Sequence, residues 1–229
     1  MNYSSLLQTA RFTPKSMQFP NNWLGHSPFA AWLVGTIAPS IFVELGTHSG
    51  NSYFSFCQTV AEQGLATHCF AVDTWMGDPH AGGYSEEIFA QVANHNEENY
   101  GTFSQLLRMT FDEAVESFAD NSIGLLHIDG MHAYEAVRHD FETWLPKLSK
   151  DAVVLFHDIA VKENDFGVHI FWGELKKKYK YHLEFEHANG LGVLCLSENL
   201  ADKNEYSFLN NEAEKGEIEH YFSCLGGDV

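Results

Sequence analysis

Two short stretches gather the residue types that move protons or hold a metal: His127-Ile128-Asp129-Gly130-Met131-His132 and His157-Asp158. If each closes one of two adjacent parallel strands, Asp129, His157 and Asp158 reach one edge, within range of a single divalent ion. Oxygen ligands with open water positions suit Mg2+ or Mn2+, and an imidazole in the set tilts the choice toward Mn2+ or another transition metal. Two further stretches suit a nucleoside. Glu44-Leu45-Gly46-Thr47-His48-Ser49-Gly50-Asn51-Ser52 has two glycines that permit a tight turn and close backbone approach to a ligand. It lacks the third glycine and pyrophosphate seat of a nicotinamide-binding loop, so a cationic, phosphate-free ligand fits better. In Val72-Asp73-Thr74-Trp75 the acid can accept from both hydroxyls of a ribose, and Trp75 can flank a purine. An ordinary βα turn and a turn-capping acid are the plainer readings of each part; the combination is more specific than either. Asp78-Pro79-His80-Ala81-Gly82-Gly83-Tyr84 is too polar and glycine-rich for a core and reads as a loop over the same edge, with His80 as a second base or substrate contact.

These residues need a scaffold that brings strand ends together. Strand candidates are Ile41–Gly46, His68–Asp73, Gln105–Thr110, Gly124–Asp129 and Ala152–Asp158, nearly all apolar until a polar residue closes them. A strand buried on both faces has this composition, and ligands of open α/β sheets sit at the carboxyl ends. Asn51–Gln63, Phe111–Phe118 and Tyr134–Leu148 have helical spacing, as does Gly167–Tyr179, whose basic end suits the helix dipole. The alternation predicts βαβ units and a parallel sheet. Ala188-Asn189-Gly190 between His182–His187 and Leu191–Ser197 predicts a closing antiparallel hairpin. The first forty residues read as a helical cap, and those from Glu198 onward as a peripheral helix or frayed tail.

Composition narrows the function classes. The 229 residues carry 13 Lys plus Arg against 31 Asp plus Glu, a formal charge of −18 that repels nucleic acid and anionic membranes. No apolar run approaches the roughly 20 residues of a membrane helix, and the N-terminus lacks the order of a secretory signal. Four scattered cysteines without a CxxC pair point to a reduced, cytoplasmic protein.

Taken together, Glu44-Leu45-Gly46-(x)3-Gly50, Val72-Asp73-Thr74-Trp75, Ile128-Asp129-Gly130 and Phe156-His157-Asp158 resemble class I S-adenosylmethionine-dependent methyltransferases. The nearest likeness is to bacterial small-molecule O-methyltransferases that act on sugar hydroxyls and stand beside, or are fused to, glycosyltransferases. The resemblance spans about Trp23 to Ser197. It implies one α/β domain with a Rossmann-like, doubly wound, seven-stranded sheet, mostly parallel with an antiparallel last strand. On that plan residues 1–40 are the helical cap, 41–197 the core and 198–229 the C-terminal tail.

The resemblance also implies roles. Glu44, Gly46, Thr47 and Gly50 would line the cofactor, and Ser52 would meet the methionine carboxylate at a helix N-terminus. Asp73, with Thr74 and Trp75, would hold the ribose end, and Thr110 and Phe111 the adenine, with Asp129 at the reacting end. Catechol-type relatives bind Mg2+ through an acid after the fourth strand and an acidic or amide pair after the fifth; Asp129 and Asp158 match, with His157 where an acid is more usual. His132 falls where those relatives carry the basic residue that takes the hydroxyl proton. The expected protein is therefore an O-methyltransferase using S-adenosylmethionine and Mg2+ or Mn2+ on a small, sugar-like hydroxylated acceptor. Its cap and acidic tail are the elements open to a second copy. Two rivals stand beside it. A metal-dependent hydrolase would use Asp129, His132, His157 and Asp158 but leaves the glycine turn and Asp73 unexplained; an accessory domain would bind the nucleoside without catalysis.

Overall fold

The computed structural model describes residues 6, 9–78, 82–83 and 85–227. Seven strands form the main sheet: β1 Ile41–Leu45, β2 His68–Asp73, β3 Ser104–Arg108, β4 Ile123–Ile128, β5 Leu148–His157, β6 His182–Phe185 and β7 Leu191–Cys195. Their spatial order is β3-β2-β1-β4-β5-β7-β6; β1 to β5 run parallel, and β7 lies antiparallel to both β5 and β6. The order reverses between β1 and β4, the switch point outside which open α/β sheets bind ligands. Register brings the tips level: Leu45 lies opposite both Val72 and Ile128, and Ile128 opposite Phe156.

Helices cover both faces, which is why the central strands are apolar on alternating sides. α1 Ser27–Ile37, α2 Asn51–Gln63, α3 Glu86–Asn99 and, last in the chain, α7 Glu212–Gly226 lie on one side, with Phe29, Trp32, Phe56 and Phe222 in its core. The other side holds the short α4 Phe111–Ala114, α5 Tyr134–Trp144 and α6 Val168–Lys178, with Phe141, Trp144 and Trp172.

The helix expected to reach Leu148 stops at Trp144, because Pro146 has no amide hydrogen and disfavours helical geometry at Leu145. The freed residues extend β5 back to Leu148. β3 ends at Arg108, so Thr110 instead caps α4 in a capping box with Glu113. α3 went unread because only Val92 and Asn96 of its residues are buried; its signal is Ser85 followed by Glu86 and Glu87. In the cap, regular helix spans Asn22–His26 and Ser27–Ile37, whereas residues 11–21 cross the start of α2 without it. The Asn51 amide fixes this strap through Gln18 and Pro20, and Gln58 fixes it through Thr13 and Lys15. The acidic tail is folded in: Tyr206, Phe208 and Phe222 are buried, and Gly226 packs so closely on Gly25 that a Cβ there would stand 2.0 Å from its carbonyl oxygen. No helix among the described residues is long and apolar enough to cross a membrane.

Candidate active site

After β1 the chain turns through Gly46 (φ +87°), where a Cβ would stand 2.2 Å from the Asp129 carbonyl oxygen. The turn therefore lies directly against the end of β4, and the Asp129 amide donates to Leu45 O at 2.8 Å. Gly50 (φ +83°) starts α2, whose first turn has neither a side-chain cap nor an acid. Such a helix start leaves amide hydrogens for an anion. Thr47 Oγ1 is buried there with no hydrogen-bond partner among the described residues.

Asp73 holds the turn in place. Its Oδ2 accepts from the Thr47 and His48 amides, both at 2.9 Å, and its Oδ1 from the Trp75 amide at 2.7 Å. A carboxylate oxygen has room for two donors, so Oδ1 keeps one acceptor position. Trp75 is a strut, not a cavity wall: its ring is buried against Phe89, and its Nε1 donates to His48 O at 2.9 Å.

Two cavities open at the strand tips. The first, about 320 Å3, is lined by Asp73, Thr74, Thr110, Phe111, Met131 and Asp140 among others. The second, about 260 Å3, is lined by Trp23, Thr47, Ser49, Ser52, His132, His157 and Asp158. Gly46, His48 and Asp129 line both. His80 lies outside the described residues.

Glu44 lines neither cavity. It is fully buried, and its Oε2 accepts from His127 Nδ1 at 2.8 Å. The Trp23 indole donates to His127 Nε2 at 3.2 Å. An indole nitrogen can only donate, so Nε2 accepts and the ring proton sits on Nδ1. Burial pushes the Glu44 carboxyl above its ordinary value against the pull of His127. This relay braces the floor under the glycine turn. Its sequence signal was one polar residue in each of two apolar runs, on strands whose register pairs Glu44 with His127.

The second cavity holds the acids and imidazoles. His132 Nε2 lies 2.8 Å from Asp158 Oδ2 and 3.8 Å from Asp129 Oδ1. His157 Nδ1 lies 3.1 Å from Asp129 Oδ1 and 3.4 Å from Asp158 Oδ2. The other nitrogen of His157 donates to Ala188 O at 3.0 Å, in the β6–β7 turn, and His26 Nε2 donates to the same carbonyl at 3.2 Å. The turn thus aims Nδ1 at the carboxylates. Burial disfavours charge on His157, but Asp129 and Asp158 override it and raise the imidazole well above its ordinary value. The same contest leaves His132 at about 9 and Asp158 at about 2, with Asp129 well below the usual carboxylate range. Asp158 sits at φ +62°, an uncommon conformation for a side-chain-bearing residue, and its Oδ1 is buried without a partner among the described residues. Donor atoms of Asp129, His132 and Asp158 lie within 4.8 Å of one another, the spacing of ligands around one cation. Sequence reasoning paired Asp129 and Asp158 with His157; the structure brings His132 into the same cluster.

The Methyltransf_24 family, a methyltransferase domain, matches residues 43–159, just over half of the chain, from the middle of β1 to just past the end of β5. The chain belongs to this methyltransferase family. A relative, the uncharacterised protein y4gI of Sinorhizobium fredii, is 53% identical over 180 residues, 79% of this chain. The chain spans only 20% of that protein's length. Solved structures share the fold at low identity. A methyltransferase from Geobacter sulfurreducens aligns with a TM-score of 0.58 at 14% identity, covering 85% of this chain and 89% of that one. The O-methyltransferase TomG of Streptomyces achromogenes, solved with S-adenosylmethionine, aligns at 0.56 with 12% identity over 84% and 90% of the two chains. An O-methyltransferase from Bacillus cereus, solved with S-adenosylhomocysteine, gives 0.56 at 13% identity over 85% and 91%.

Proposed function

We propose that the protein transfers the methyl group of S-adenosylmethionine to a hydroxyl of a small, sugar-like acceptor, assisted by a divalent cation. The observation that carries this reading is the pair of cavities meeting at Gly46 and Asp129, one of nucleoside size and one holding the acid–histidine cluster.

The residues fit both groups. For the methyl donor, Asp73 Oδ1 offers an acceptor to a ribose hydroxyl, while the start of α2, Ser52 and the unpartnered Thr47 Oγ1 suit the methionine carboxylate. For the cation, Asp129, Asp158 and His157 form a mixed oxygen and nitrogen set suited to Mn2+ or Mg2+, leaving Nε2 of His132 to the hydroxyl proton. Asn22, Ser49 and Asn189 beside the Trp23 ring suit a polyhydroxylated acceptor.

In the reaction the acceptor oxygen attacks the methyl carbon as the sulfur–carbon bond breaks, and sulfur keeps the bonding pair. Gly46 lets the two substrates meet over bare backbone, and Asp73 fixes the donor by its ribose. His132 receives the hydroxyl proton at Nε2. Asp129 and Asp158 would hold a divalent cation, which would supply Lewis acidity to the acceptor hydroxyl and offset the carboxylate charge that keeps His132 protonated. The test is calorimetric titration with S-adenosylhomocysteine, followed by a mass-spectrometric screen of hydroxylated sugars with labelled methyl donor, with Mn2+ and with EDTA. Binding and cation-dependent labelling are expected. No binding of S-adenosylhomocysteine would remove the reading.

A further inference from the structure

A third cavity, about 370 Å3 and larger than either of the two at the strand tips, opens between the strap and α3. His48 and Ser49 of the glycine turn form a wall common to it and to the cavity of the acid–histidine cluster. The strap borders both: Pro20 lines the cluster's cavity, while Gln18 and Phe19 line the third. Asn51 and Gln58 tie the strap to α2, so it does not close on α3. Opposite it, α3 presents Gln91, Asn94, His95 and Glu98, the i, i+3, i+4 and i+7 positions of one helical face. The His95 ring stands 4.5 Å from that of Phe54, which completes the wall.

The lining is polar but almost uncharged. Among the described residues no Lys or Arg faces the cavity to hold a phosphate or carboxylate, and Glu98 is its one acid. The side-chain amides of Gln18, Gln91 and Asn94 both donate and accept, as sugar hydroxyls do. Burial keeps the His95 imidazole below its ordinary value against the pull of Glu98, so the ring is neutral and has the same double capacity. Its Nε2 is buried with no hydrogen-bond partner among the described residues. Phe19 is 87% exposed and offers an open aromatic face on which the C–H face of a pyranose can lie. Convergent polar groups beside an exposed aromatic mark a ligand cavity rather than a gap in packing.

We infer that this cavity is a second acceptor subsite: it holds the sugar unit next to the one that is methylated, so the acceptor is a neutral oligosaccharide at least two rings long. The inference rests on the methyl-transfer reading above and narrows its acceptor from a single sugar to a chain. The common wall at His48 and Ser49 is where the glycosidic bond passes from one subsite to the other.

The experiment is a glycan array probed with labelled protein saturated with S-adenosylhomocysteine. Neutral hexoses, deoxyhexoses and N-acetylhexosamines are displayed singly and as linear chains of two to four units, and calorimetry then compares the best-bound chain with its single unit. The chain should bind about tenfold tighter or more, the worth of an aromatic contact with one or two hydrogen bonds. Phe19→Ala, and separately Gln91→Ala combined with Asn94→Ala, should each cut that advantage to about threefold or less. These side chains are exposed and lie outside the methyl-donor cavity, so S-adenosylhomocysteine affinity should stay within about threefold of native and thermal melts should be unchanged. Equal affinity for chain and single unit, or an advantage that survives both variants, overturns the subsite alone. Binding of S-adenosylhomocysteine without binding of any glycan overturns the subsite together with the sugar-like acceptor. Failure of S-adenosylhomocysteine to bind overturns the methyl-transfer reading, and this inference with it.

Discussion

Replacing Glu44 separates a bracing role from a ligand-binding one. In Glu44→Gln the amide oxygen can still accept from His127 Nδ1, so the chain from Trp23 through His127 survives. In Glu44→Leu it does not. Either His127 keeps its proton on Nδ1 and buries an unmet donor, or it moves the proton to Nε2 and strands the Trp23 indole. An unmet buried donor costs about 1–3 kcal/mol. For a chain of this length that lowers Tm by about 2–12 °C, at roughly 2–4 °C per kcal/mol. The Gln variant keeps that bond but places an amide donor at the buried Oε1 position, with the Ser52 hydroxyl as its neighbour, so it should lose less stability than the Leu variant. A pH series adds a sign. The folded state holds the Glu44 proton more tightly than the unfolded chain, where the carboxyl titrates near 4.5, so stability falls as pH rises above that value. Glu44→Gln escapes this loss and should gain on the native protein between pH 5 and pH 8. Because Glu44 lines neither cavity, S-adenosylhomocysteine affinity in Glu44→Gln should stay within about threefold of native, well under the loss of a charged hydrogen bond. Lost binding with an unchanged Tm would refute the argument and put the carboxylate in contact with the ligand; so would a Leu variant that melts like the native protein.

Asp140→Asn should stabilise the ligand-free protein at high pH. The carboxyl is raised from 3.8 to about 7 on folding, so stability declines across that window and the native penalty is complete above it, with a ceiling on the order of 4 kcal/mol. Urea unfolding at pH 4 and pH 8 checks this: equal stabilities at both would remove the buried carboxyl from the account. Mn2+ binding should release protons, since His132 at about 9 and the raised His157 are charged in the free protein. Calorimetry in buffers of different ionisation enthalpy measures the number, and zero at pH 7 would mean that the cation bypasses the cluster. Gly46→Ala should cost about 2 kcal/mol or more, or at least 4 °C in Tm, because its Cβ meets a backbone carbonyl that cannot yield. A variant that melts within 1 °C of native would contradict the close approach of turn and strand, given the roughly 2–4 °C lost per kcal/mol.

What the sequence disclosed follows from where its information is local. β2 His68–Asp73 and α2 Asn51–Gln63 carry unbroken patterns and have the same bounds in the structure. The strand tips were legible because buried parallel strands change from apolar to polar where they leave the sheet. Glu44 and His127 were not legible as partners, since register between β1 and β4 belongs to the assembled sheet. Trp75 shows the same limit: its position beside Asp73 suits a purine, but a positive φ of 51° turns the ring into the core. Asp140 gave no signal, because a polar residue on an amphipathic helix normally faces water. His132 was read as a base, and its 2.8 Å approach to Asp158 depends on the left-handed turn at the end of β5.

Five acids surround the site, and the way each is compensated decides which ligands are linked to pH. Asp73 is met by three backbone amides and Glu44 by His127, partners that remain whatever binds. Asp129 and Asp158 are met by imidazoles carrying protons, and Asp140 chiefly by a proton of its own. A divalent cation bound as proposed at Asp129 and Asp158 would displace protons, so its affinity should rise with pH. On the function proposed above, the cation site of this chain of net charge −18 would keep its negative charge in reserve under exchangeable protons.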